Sequence, residues 1–167
     1  MRLYLVRHGL AVDRLDPKCP TDAKRTLTPE GVKKTRKAMR GLKAMGVKPE
    51  AMFTSPYLRA VETAEIAADE LGFPLDKIHS TESLKPGATP SELFKELAKL
   101  RADEVMCFGH APHLDLAIGY ALGGRSAVTE LKKAGVACLE LQKVTAGGGV
   151  LVWLMAPKTL RDLGDSA

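Results

Sequence analysis

The stretch from Leu3 to Gly9, which reads Leu-Tyr-Leu-Val-Arg-His-Gly, constrains this chain more than any other part of it. Its apolar start, Leu3 to Val6, favours a buried β-strand. The strand ends abruptly in Arg7 and His8, which cannot be buried without polar partners. Gly9 follows, and because it has no Cβ the backbone there can turn sharply or approach a ligand closely. Open α/β sheets bind their ligands at the carboxyl ends of strands, so we expect a ligand site here.

The residue types at this strand end suit an anionic ligand. The planar guanidinium of Arg7 can donate two parallel hydrogen bonds to phosphate oxygens. The imidazole of His8 can act as a nucleophile, or as an acid and base near neutral pH. Taken alone, the tripeptide also fits a surface turn with an incidental histidine, so the remainder of the chain has to decide.

The rest of the chain alternates between strand-like and helix-like segments. We predict strands over residues 2–6, 51–54, 77–81, 104–109, 136–141 and 150–155. We predict helices from Pro29 to near Gly46, over 57–71 and 90–100, from Pro112 onward, and over 159–163. Three consecutive glycines, 147–149, join the last two strands as a hairpin. The pattern predicts an α/β fold, a three-layer α/β/α sandwich with a mixed, mostly parallel sheet.

Length and composition narrow the class of protein. A chain of 167 residues favours a single domain over 1–167, and a hydrophobic fraction of 45% supports a sizeable core. No run approaches the roughly 18 apolar residues of a membrane span, and the apolar start is too short for a signal peptide. Cys19, Cys107 and Cys138 show neither paired nor metal-type spacing, which fits a reducing compartment. We therefore expect a cytoplasmic protein that does not associate with membranes.

The net charge of +5 raises the possibility of a nucleic-acid partner. Many of the cations, however, occupy positions that the apolar stripe of the first helix leaves over: Lys33, Lys34, Arg36, Lys37, Arg40 and Lys43. This spacing predicts a solvated helix face. Aromatic residues make up only 5% of the chain, so there is no stacking platform for bases. We predict no nucleic-acid partner, and a basic binding module without catalytic activity stays as a weaker alternative.

A second motif, Ser55-Pro56-Tyr57-Leu58-Arg59-Ala60-Val61-Glu62-Thr63-Ala64, follows the second predicted strand and begins a helix. Arg59 falls in the first turn, beside unpaired backbone N–H groups and the positive end of the helix dipole. A cation is unfavourable there unless an anion binds beside it. Arg59 is therefore a candidate anion ligand, with an exposed arginine as the alternative.

A third motif, Phe108-Gly109-His110-Ala111-Pro112-His113, ends the fourth predicted strand. His110 stands at the carboxyl end of a buried strand, as His8 does. His113 lies one turn further on, and we expect it on the helix surface. A zinc site on His110 and His113 is the competing interpretation, but no histidine or cysteine is suitably spaced to complete it. We therefore predict neither a metal nor another cofactor.

Together these motifs resemble the histidine phosphatase superfamily, whose members are phosphoglycerate mutase-like, and in particular its short SixA-like phosphohistidine phosphatase branch. The resemblance implies a phosphoglycerate mutase-like fold and a covalent phosphohistidine formed on His8. It implies that Arg7, Arg59 and His110 bind the phosphoryl group. Arg25 precedes a segment similar to the Leu-Thr-x-x-Gly motif of the family, so Arg25 is expected at the mouth of the substrate site, with a solvated arginine beside the helix start as the alternative. Gly9 is expected beside the substrate.

Glu82 is the candidate proton donor. In phosphomonoesterases and mutases of the superfamily a glutamate in this loop stands in a Leu-x-Glu context. Here the context is Ser80-Thr81-Glu82-Ser83-Leu84, which departs from that pattern. A surface carboxylate is the alternative interpretation of Glu82.

The substrate expectation rests on how little chain is left to cover the site. Only residues 10–26 and 83–89 are free to form a lid. An open site suits phosphohistidine on a partner protein, and we expect the enzyme to act as a monomer. A phosphomonoesterase of the same fold that acts on a small metabolite is the alternative.

Overall fold

Six strands form one mixed sheet in this computed structural model, which describes residues 1–166. The strands are β1 (Arg2–Arg7), β2 (Ala51–Thr54), β3 (Ile78–Ser80), β4 (Glu104–Gly109), β5 (Val136–Leu141) and β6 (Gly149–Met155). Their order is β3-β2-β4-β1-β5-β6. Strands β1 to β4 pair in parallel, whereas β5 runs antiparallel to both β1 and β6. The predicted mixed, mostly parallel sheet is confirmed.

Helices cover both faces of this sheet. They are α1 (Pro29–Ala44), α2 (Leu58–Leu71), α3 (Pro90–Leu97), α4 (His113–Ala121) and α5 (Pro157–Asp165). One apolar cluster joins α1, α2 and α5 to the sheet, and a second joins α3 and α4 to the opposite face. In β1, Tyr4 and Val6 belong to the first cluster and Leu3 and Leu5 to the second. β1 is therefore buried on both faces, as its unbroken apolar run predicts.

Local signals set the helix boundaries. Thr28 caps α1 by accepting a hydrogen bond from the Gly31 amide at 2.9 Å. Gly72 ends α2 in the left-handed conformation with φ of 73°. Thr89 and Glu92 form a capping box at the start of α3. Helix α3 ends three residues before the predicted end, and α5 extends beyond the predicted 159–163 at both ends.

The helical period of Val32, Arg36, Met39 and Leu42 predicts the inner face of α1, and the structure buries only the last two of these four residues. The buried residues of the helix are Gly31, Thr35, Ala38, Met39, Gly41 and Leu42. Val32, in contrast, is 37% exposed. At position 41 the helix α5 lies very close, because a Cβ on Gly41 would come within 2.0 Å of the Leu160 carbonyl oxygen. Packing distance therefore selects a glycine at this position.

The basic face of α1 is largely paired with carboxylates. Arg36 lies 2.5 Å from Asp69, and further ion pairs join Arg36 and Arg40 to Glu70, Lys37 to Asp165 and Lys34 to Glu30. Pairs of this kind, made between partly exposed groups, contribute little stability. They do reduce the positive charge that this face presents to a polyanion.

None of the helices in residues 1–166 is long and apolar enough to span a membrane.

The sheet order brings two strand ends together. β1 and β4 are neighbours, and in their register Arg7 lies opposite Gly109. The segments that follow them, beginning with His8 and His110, therefore leave the sheet side by side. A bridge between Ala11 and Leu27 closes the base of the loop that follows β1.

Gly9 has no side chain because α1 occupies the space that one would need. A Cβ on Gly9 would lie 2.2 Å from Thr35 Oγ1. We expect Gly9→Ala to lower the free energy of unfolding by about 1–3 kcal/mol, the usual cost of overpacking a core. Urea unfolding measures this loss. The double variant Gly9→Ala/Thr35→Ala should recover part of it relative to Thr35→Ala alone, and a Gly9→Ala protein as stable as the parent would contradict this account.

Candidate active site

A cavity of about 750 Å³ opens at the carboxyl ends of β1 and β4. Its lining includes all four residues that the motifs single out as phosphate ligands. The lining consists of Arg7, His8, Leu10, Ala11, Asp13, Arg14, Leu15, Arg25, Thr28, Arg59, Pro86, His110, Ala111 and Lys133. Both loops that the sequence leaves free for a lid contribute to it. We refer to this cavity as the cationic pocket.

His8 lies in the cationic pocket with only 6% of its surface exposed. Its Nδ1 is 2.7 Å from the Gly9 carbonyl oxygen. A carbonyl can only accept a hydrogen bond, so Nδ1 carries the proton and Nε2 is the unprotonated nitrogen, whose lone pair accepts from Arg59 Nε. Burial is the main cause that lowers the pKa of His8 to about 3; the Gly9 carbonyl opposes it, and Arg59 and Arg7 add to it. The ring is therefore a neutral imidazole with Nε2 available as a nucleophile.

Arg59 is held on three sides. Its side chain is 2% exposed, and its Nε donates to His8 Nε2 at 3.2 Å. Its Nη1 donates to the Asp22 carbonyl oxygen at 2.6 Å and its Nη2 to Asp22 Oδ2 at 3.3 Å. The guanidinium carbon lies 5.2 Å from the centre of the Tyr57 ring, within cation–π range. A guanidinium has five N–H groups. Arg59 therefore keeps two N–H groups for an anion.

Arg7 is anchored from a segment that lies far away in the chain. Its Nη1 donates to the Leu131 carbonyl oxygen at 2.7 Å. Asp115 holds that segment in turn, because its carboxylate accepts from the Leu131 amide at 2.7 Å and from the Thr129 hydroxyl at 2.8 Å. Arg7 Nε is buried and has no hydrogen-bond partner in residues 1–166. Buried donors are normally paired, so this N–H group is one that a bound oxyanion can satisfy.

His110 packs beside His8, with 5.2 Å between the ring centres. Its Nε2 is 2.9 Å from Ser55 Oγ, and Tyr57 packs edge-on against the ring. Burial is the main cause that lowers the pKa of His110 to about 2, and the neighbouring His8 and Arg59 lower it further. His110 is therefore a second neutral imidazole in the cationic pocket.

The structure places Arg25 in the lining of the cationic pocket but leaves Gly9 outside it. Arg25 is 7% exposed and donates to the Val12 carbonyl oxygen at 2.8 Å and to Asp22 Oδ1 at 2.9 Å. Gly9 is buried behind His8, where α1 packs against it. Its carbonyl oxygen serves the site by accepting a hydrogen bond from His8 Nδ1. The placement gives Gly9 a structural reason to lack a side chain that does not involve a substrate.

Glu82 lies away from the cationic pocket. Its side chain is 77% exposed and bonded to Lys85. It lines a neighbouring cavity of about 590 Å³ that contains neither His8 nor His110. Residues 82–84 form a short 3-10 helix that turns Leu84 into the core and Glu82 out to solvent. The structure thus brings together His8, Arg7, Arg59 and His110 but does not bring Glu82 to them.

The expectation for His113 was wrong, because this side chain is buried at 2% exposure. It belongs to the inward face of α4, beside the start of α3. Burial lowers the pKa of His113, although the Thr89 backbone and Glu92 oppose that shift. Neither ring nitrogen has a hydrogen-bond partner of normal geometry in residues 1–166. Within the same residues no group of three or more His, Cys, Asp or Glu side chains could hold a metal ion.

Several residues of the site were not predicted. Ser55 and Tyr57 belong to the second motif, and their contacts with His110 give a physical role to positions that we treated only as part of a pattern. Asp22 begins a short 3-10 helix of three residues and Lys133 lies in a turn, and no local signal in the sequence identifies either of them. Long-range pairing of loop residues with strand ends becomes visible only in the folded chain.

The neutral state of the two site histidines gives a measurable pH dependence. A free imidazole is mostly protonated at pH 5 because its pKa is about 6.5. A lowered pKa means that His8 and His110 stay neutral at pH 5. We expect their ring ¹⁵N shifts to remain those of neutral imidazole from pH 7.5 down to pH 5, with assignment from His8→Asn. A His8 midpoint near that of free histidine in the same buffer would contradict the geometry described above.

The chain is similar in sequence to a known family and to known proteins. The model of the histidine phosphatase superfamily (branch 1) matches residues 3–85. An uncharacterized protein of Picosynechococcus sp. (strain ATCC 27264 / PCC 7002 / PR-6) is 36% identical over 141 residues, which cover 81% of this chain and 82% of that protein. Phosphohistidine phosphatase SixA of Escherichia coli (strain K12) is 27% identical over 168 residues, covering 96% of this chain and 97% of SixA.

Solved structures share the fold of this chain. The structure of the protein histidine phosphatase SixA complexed with tungstate superposes with a TM-score of 0.85 at 26% identity, and the match covers 96% of this chain and 99% of that one. A phosphoserine phosphatase of Entamoeba histolytica in complex with 3-phosphoglyceric acid shares the fold with a TM-score of 0.71 at 17% identity, over 95% of this chain and 98% of that one. The chain therefore belongs to the histidine phosphatase superfamily.

Proposed function

We propose that the chain is a single histidine phosphatase domain that removes phosphate from phosphohistidine on a partner protein. The observation that carries this proposal is the geometry of His8 in the cationic pocket, with Nδ1 bonded to the Gly9 carbonyl at 2.7 Å and Nε2 3.2 Å from Arg59 Nε. The similarity to SixA supports the substrate class. In this proposal His8 is the nucleophile, Arg7, Arg59 and His110 bind the phosphoryl oxygens, and Arg25 lies at the mouth.

The first step transfers the phosphoryl group to His8. The Nε2 lone pair attacks phosphorus, the Nε2–P bond forms, and the bond between phosphorus and the substrate nitrogen breaks. Negative charge on the phosphoryl oxygens is stabilised by Arg7 and Arg59, which are already in place before the substrate arrives. Preorganised donors of this kind usually supply the largest part of catalysis.

The second step regenerates the enzyme. Water attacks phosphorus, the P–Nε2 bond breaks, and inorganic phosphate leaves. His8 departs from phosphorus as a neutral ring because its Nδ1 kept a proton throughout, bonded to the Gly9 carbonyl. The protein therefore needs no additional acid to release its own histidine.

The leaving group of the first step favours phosphohistidine over an alcohol ester. A substrate imidazole that carries a proton on its other nitrogen also leaves as a neutral ring. An alkoxide leaving group needs a proton donor. Glu82 as that donor stays a prediction. Its carboxylate lies in the neighbouring cavity and is bonded to Lys85. The reaction proposed here proceeds without it.

The mouth of the cationic pocket also favours a large substrate. Leu15 belongs to the lining and is 89% exposed, so the rim carries an apolar side chain that faces solvent. Arg14 and Lys133 also line the pocket. An apolar and cationic rim of this kind fits the surface of a protein around a phosphorylated side chain. A monomeric state and a cytoplasmic location stay predictions.

The covalent intermediate can be trapped. We expect the protein, incubated with a ³²P-phosphohistidine protein and quenched in alkali, to carry label on His8. His8→Ala should carry none, and its turnover should fall by about a thousandfold or more, as removal of a nucleophile usually causes. The control is His79→Ala, because His79 is exposed on β3 and lies outside the cationic pocket. Label on a serine or cysteine, or undiminished turnover by His8→Ala, would refute the mechanism.

The substrate class can be tested at Leu15. We expect Leu15→Ser to raise KM about five- to tenfold for a phosphohistidine protein, because burial of about half of a leucine side chain against a partner stabilises the complex by about 1 kcal/mol. Hydrolysis of phosphorylated free histidine should change less than about twofold, since that substrate does not reach the rim. Leu75→Ser is the matched control: Leu75 is 57% exposed and outside the pocket.

The alternative substrate class predicts a different outcome for the same proteins. A phosphomonoesterase of small metabolites would turn over sugar phosphates faster than the phosphohistidine protein. Leu15→Ser would then affect all substrates alike or none. Either result would replace the proposed substrate with a small phosphate ester while leaving the His8 intermediate intact.

A further inference from the structure

One carboxylate, that of Asp22, touches three arginines at the cationic pocket. Its Oδ1 accepts from Arg14 Nε and from Arg25 Nη1, each at 2.9 Å. Its Oδ2 accepts from Arg59 Nη2 at 3.3 Å, and its backbone carbonyl accepts from Arg59 Nη1 at 2.6 Å. Burial raises the pKa of Asp22, but the bonds to Arg25, Arg59 and Arg14 outweigh burial and lower it below its usual value. Asp22 is therefore an anion at neutral pH.

The contacts of Asp22 fix the direction of the Arg59 side chain. Both Nη atoms of Arg59 are bonded to Asp22, one through the backbone and one through the carboxylate. With those two atoms held, the Nε–H group of Arg59 points at His8 Nε2. The Tyr57 ring supports the guanidinium by cation–π contact but offers no acceptor that sets its rotation. Asp22 is thus the one residue in the described chain whose oxygens orient the Arg59 fork.

The charge of Asp22 has the wrong sign for a residue that only strengthens anion binding. A carboxylate beside a phosphate site repels the ligand and neutralises part of the cation that should attract it. Its presence is explained if orientation of Arg59 matters more than raw affinity. Three guanidinium groups also repel one another, and one shared carboxylate allows them to lie side by side.

We infer that Asp22 is a positioning residue for the phosphatase reaction: it orients Arg59 toward His8 and the phosphoryl group, and it weakens the binding of inorganic phosphate. This inference rests on the proposed function and adds a residue to it. It predicts a split between two measurements. Removal of the Asp22 charge should strengthen phosphate binding while it slows turnover. A residue that only holds the loop in place would weaken both together.

The test uses Asp22→Asn, Asp22→Glu and a control, Asp16→Asn. Asp16 lies in the same loop and accepts from the Lys18 amide at 2.8 Å, so its replacement removes one charge without touching the arginines. We expect Asp22→Asn to lower kcat on a phosphohistidine protein about 10- to 100-fold and to tighten binding of inorganic phosphate, followed by calorimetry, about three- to tenfold. Asp22→Glu keeps the charge but moves the carboxylate, so it should lower kcat without tightening phosphate binding. Asp16→Asn should change neither by more than about twofold.

A direct readout separates failure of this inference from failure of the proposed function. The Arg59 Nε–H resonance, assigned with Arg59→Lys, should shift in Asp22→Asn and stay in place in Asp16→Asn. If the parent protein hydrolyses no phosphohistidine protein, the proposed function fails, yet phosphate affinity and this resonance still judge Asp22. Weaker phosphate binding in Asp22→Asn, or an unchanged resonance and unchanged affinity, would overturn the inference. Melting temperatures of all variants show whether any loss of turnover reflects unfolding. If Asp22→Asn is unfolded, the inference is judged on Asp22→Glu, which should lower kcat without tightening phosphate binding.

Discussion

The hydrogen bond from His8 Nδ1 to the Gly9 carbonyl oxygen is the contact on which the chemistry of this site depends. It spans 2.7 Å and places the only ring proton on the side of the imidazole away from Arg59. Without it, either nitrogen of a neutral imidazole could carry the proton. The tautomer with the proton on Nε2 could not attack phosphorus through that atom. The local turn of the backbone after β1 therefore decides which atom of His8 is reactive. Burial then lowers the pKa of His8 and keeps that atom unprotonated, and the nearby Arg59 and Arg7 add to the effect because a second proton would add charge to an already positive pocket.

The fold positions these groups through one strand pair. β1 and β4 are parallel neighbours, so two buried, apolar strands deliver His8 and His110 to the same edge, with their rings 5.2 Å apart. The start of α2 adds Arg59 from a third direction. Burial of guanidinium groups is costly unless acceptors surround them. The structure supplies these acceptors from segments outside the motifs: the Leu131 carbonyl for Arg7, and Asp22 for Arg59. Motif residues provide the reactive groups, and loop residues provide the bonds that hold them.

This division explains how much could be predicted from the sequence. The strands β2, β4 and β5 were predicted with the bounds that the structure shows, because each is a short apolar run between clear turn signals. The meeting of His8, Arg59 and His110 could be predicted because each follows a strand. His113 was misplaced since a helix that is buried over most of its surface gives no amphipathic stripe by which to recognise the polar side. Asp22 and Lys133 could not be found, because pairing across loops leaves no periodic trace in a single sequence.

The position of Glu82 bears on which bond the site is suited to break. A short 3-10 helix buries Leu84 and thereby turns Glu82 outward, where Lys85 binds it. Asp13 is the one carboxylate that lines the cationic pocket within the described chain, and its Oδ1 accepts from the Leu15 amide at 2.9 Å. The pocket thus has few groups suited to acid catalysis and several cations that can stabilise negative charge on a phosphoryl group. A P–N bond to a protonated imidazole breaks with that balance of groups, since the leaving ring already has its proton. A P–O bond to an alcohol requires a proton donor, and Glu82, the donor that the family resemblance implies, lies outside the pocket. This asymmetry is the physical basis for proposing phosphohistidine as the substrate.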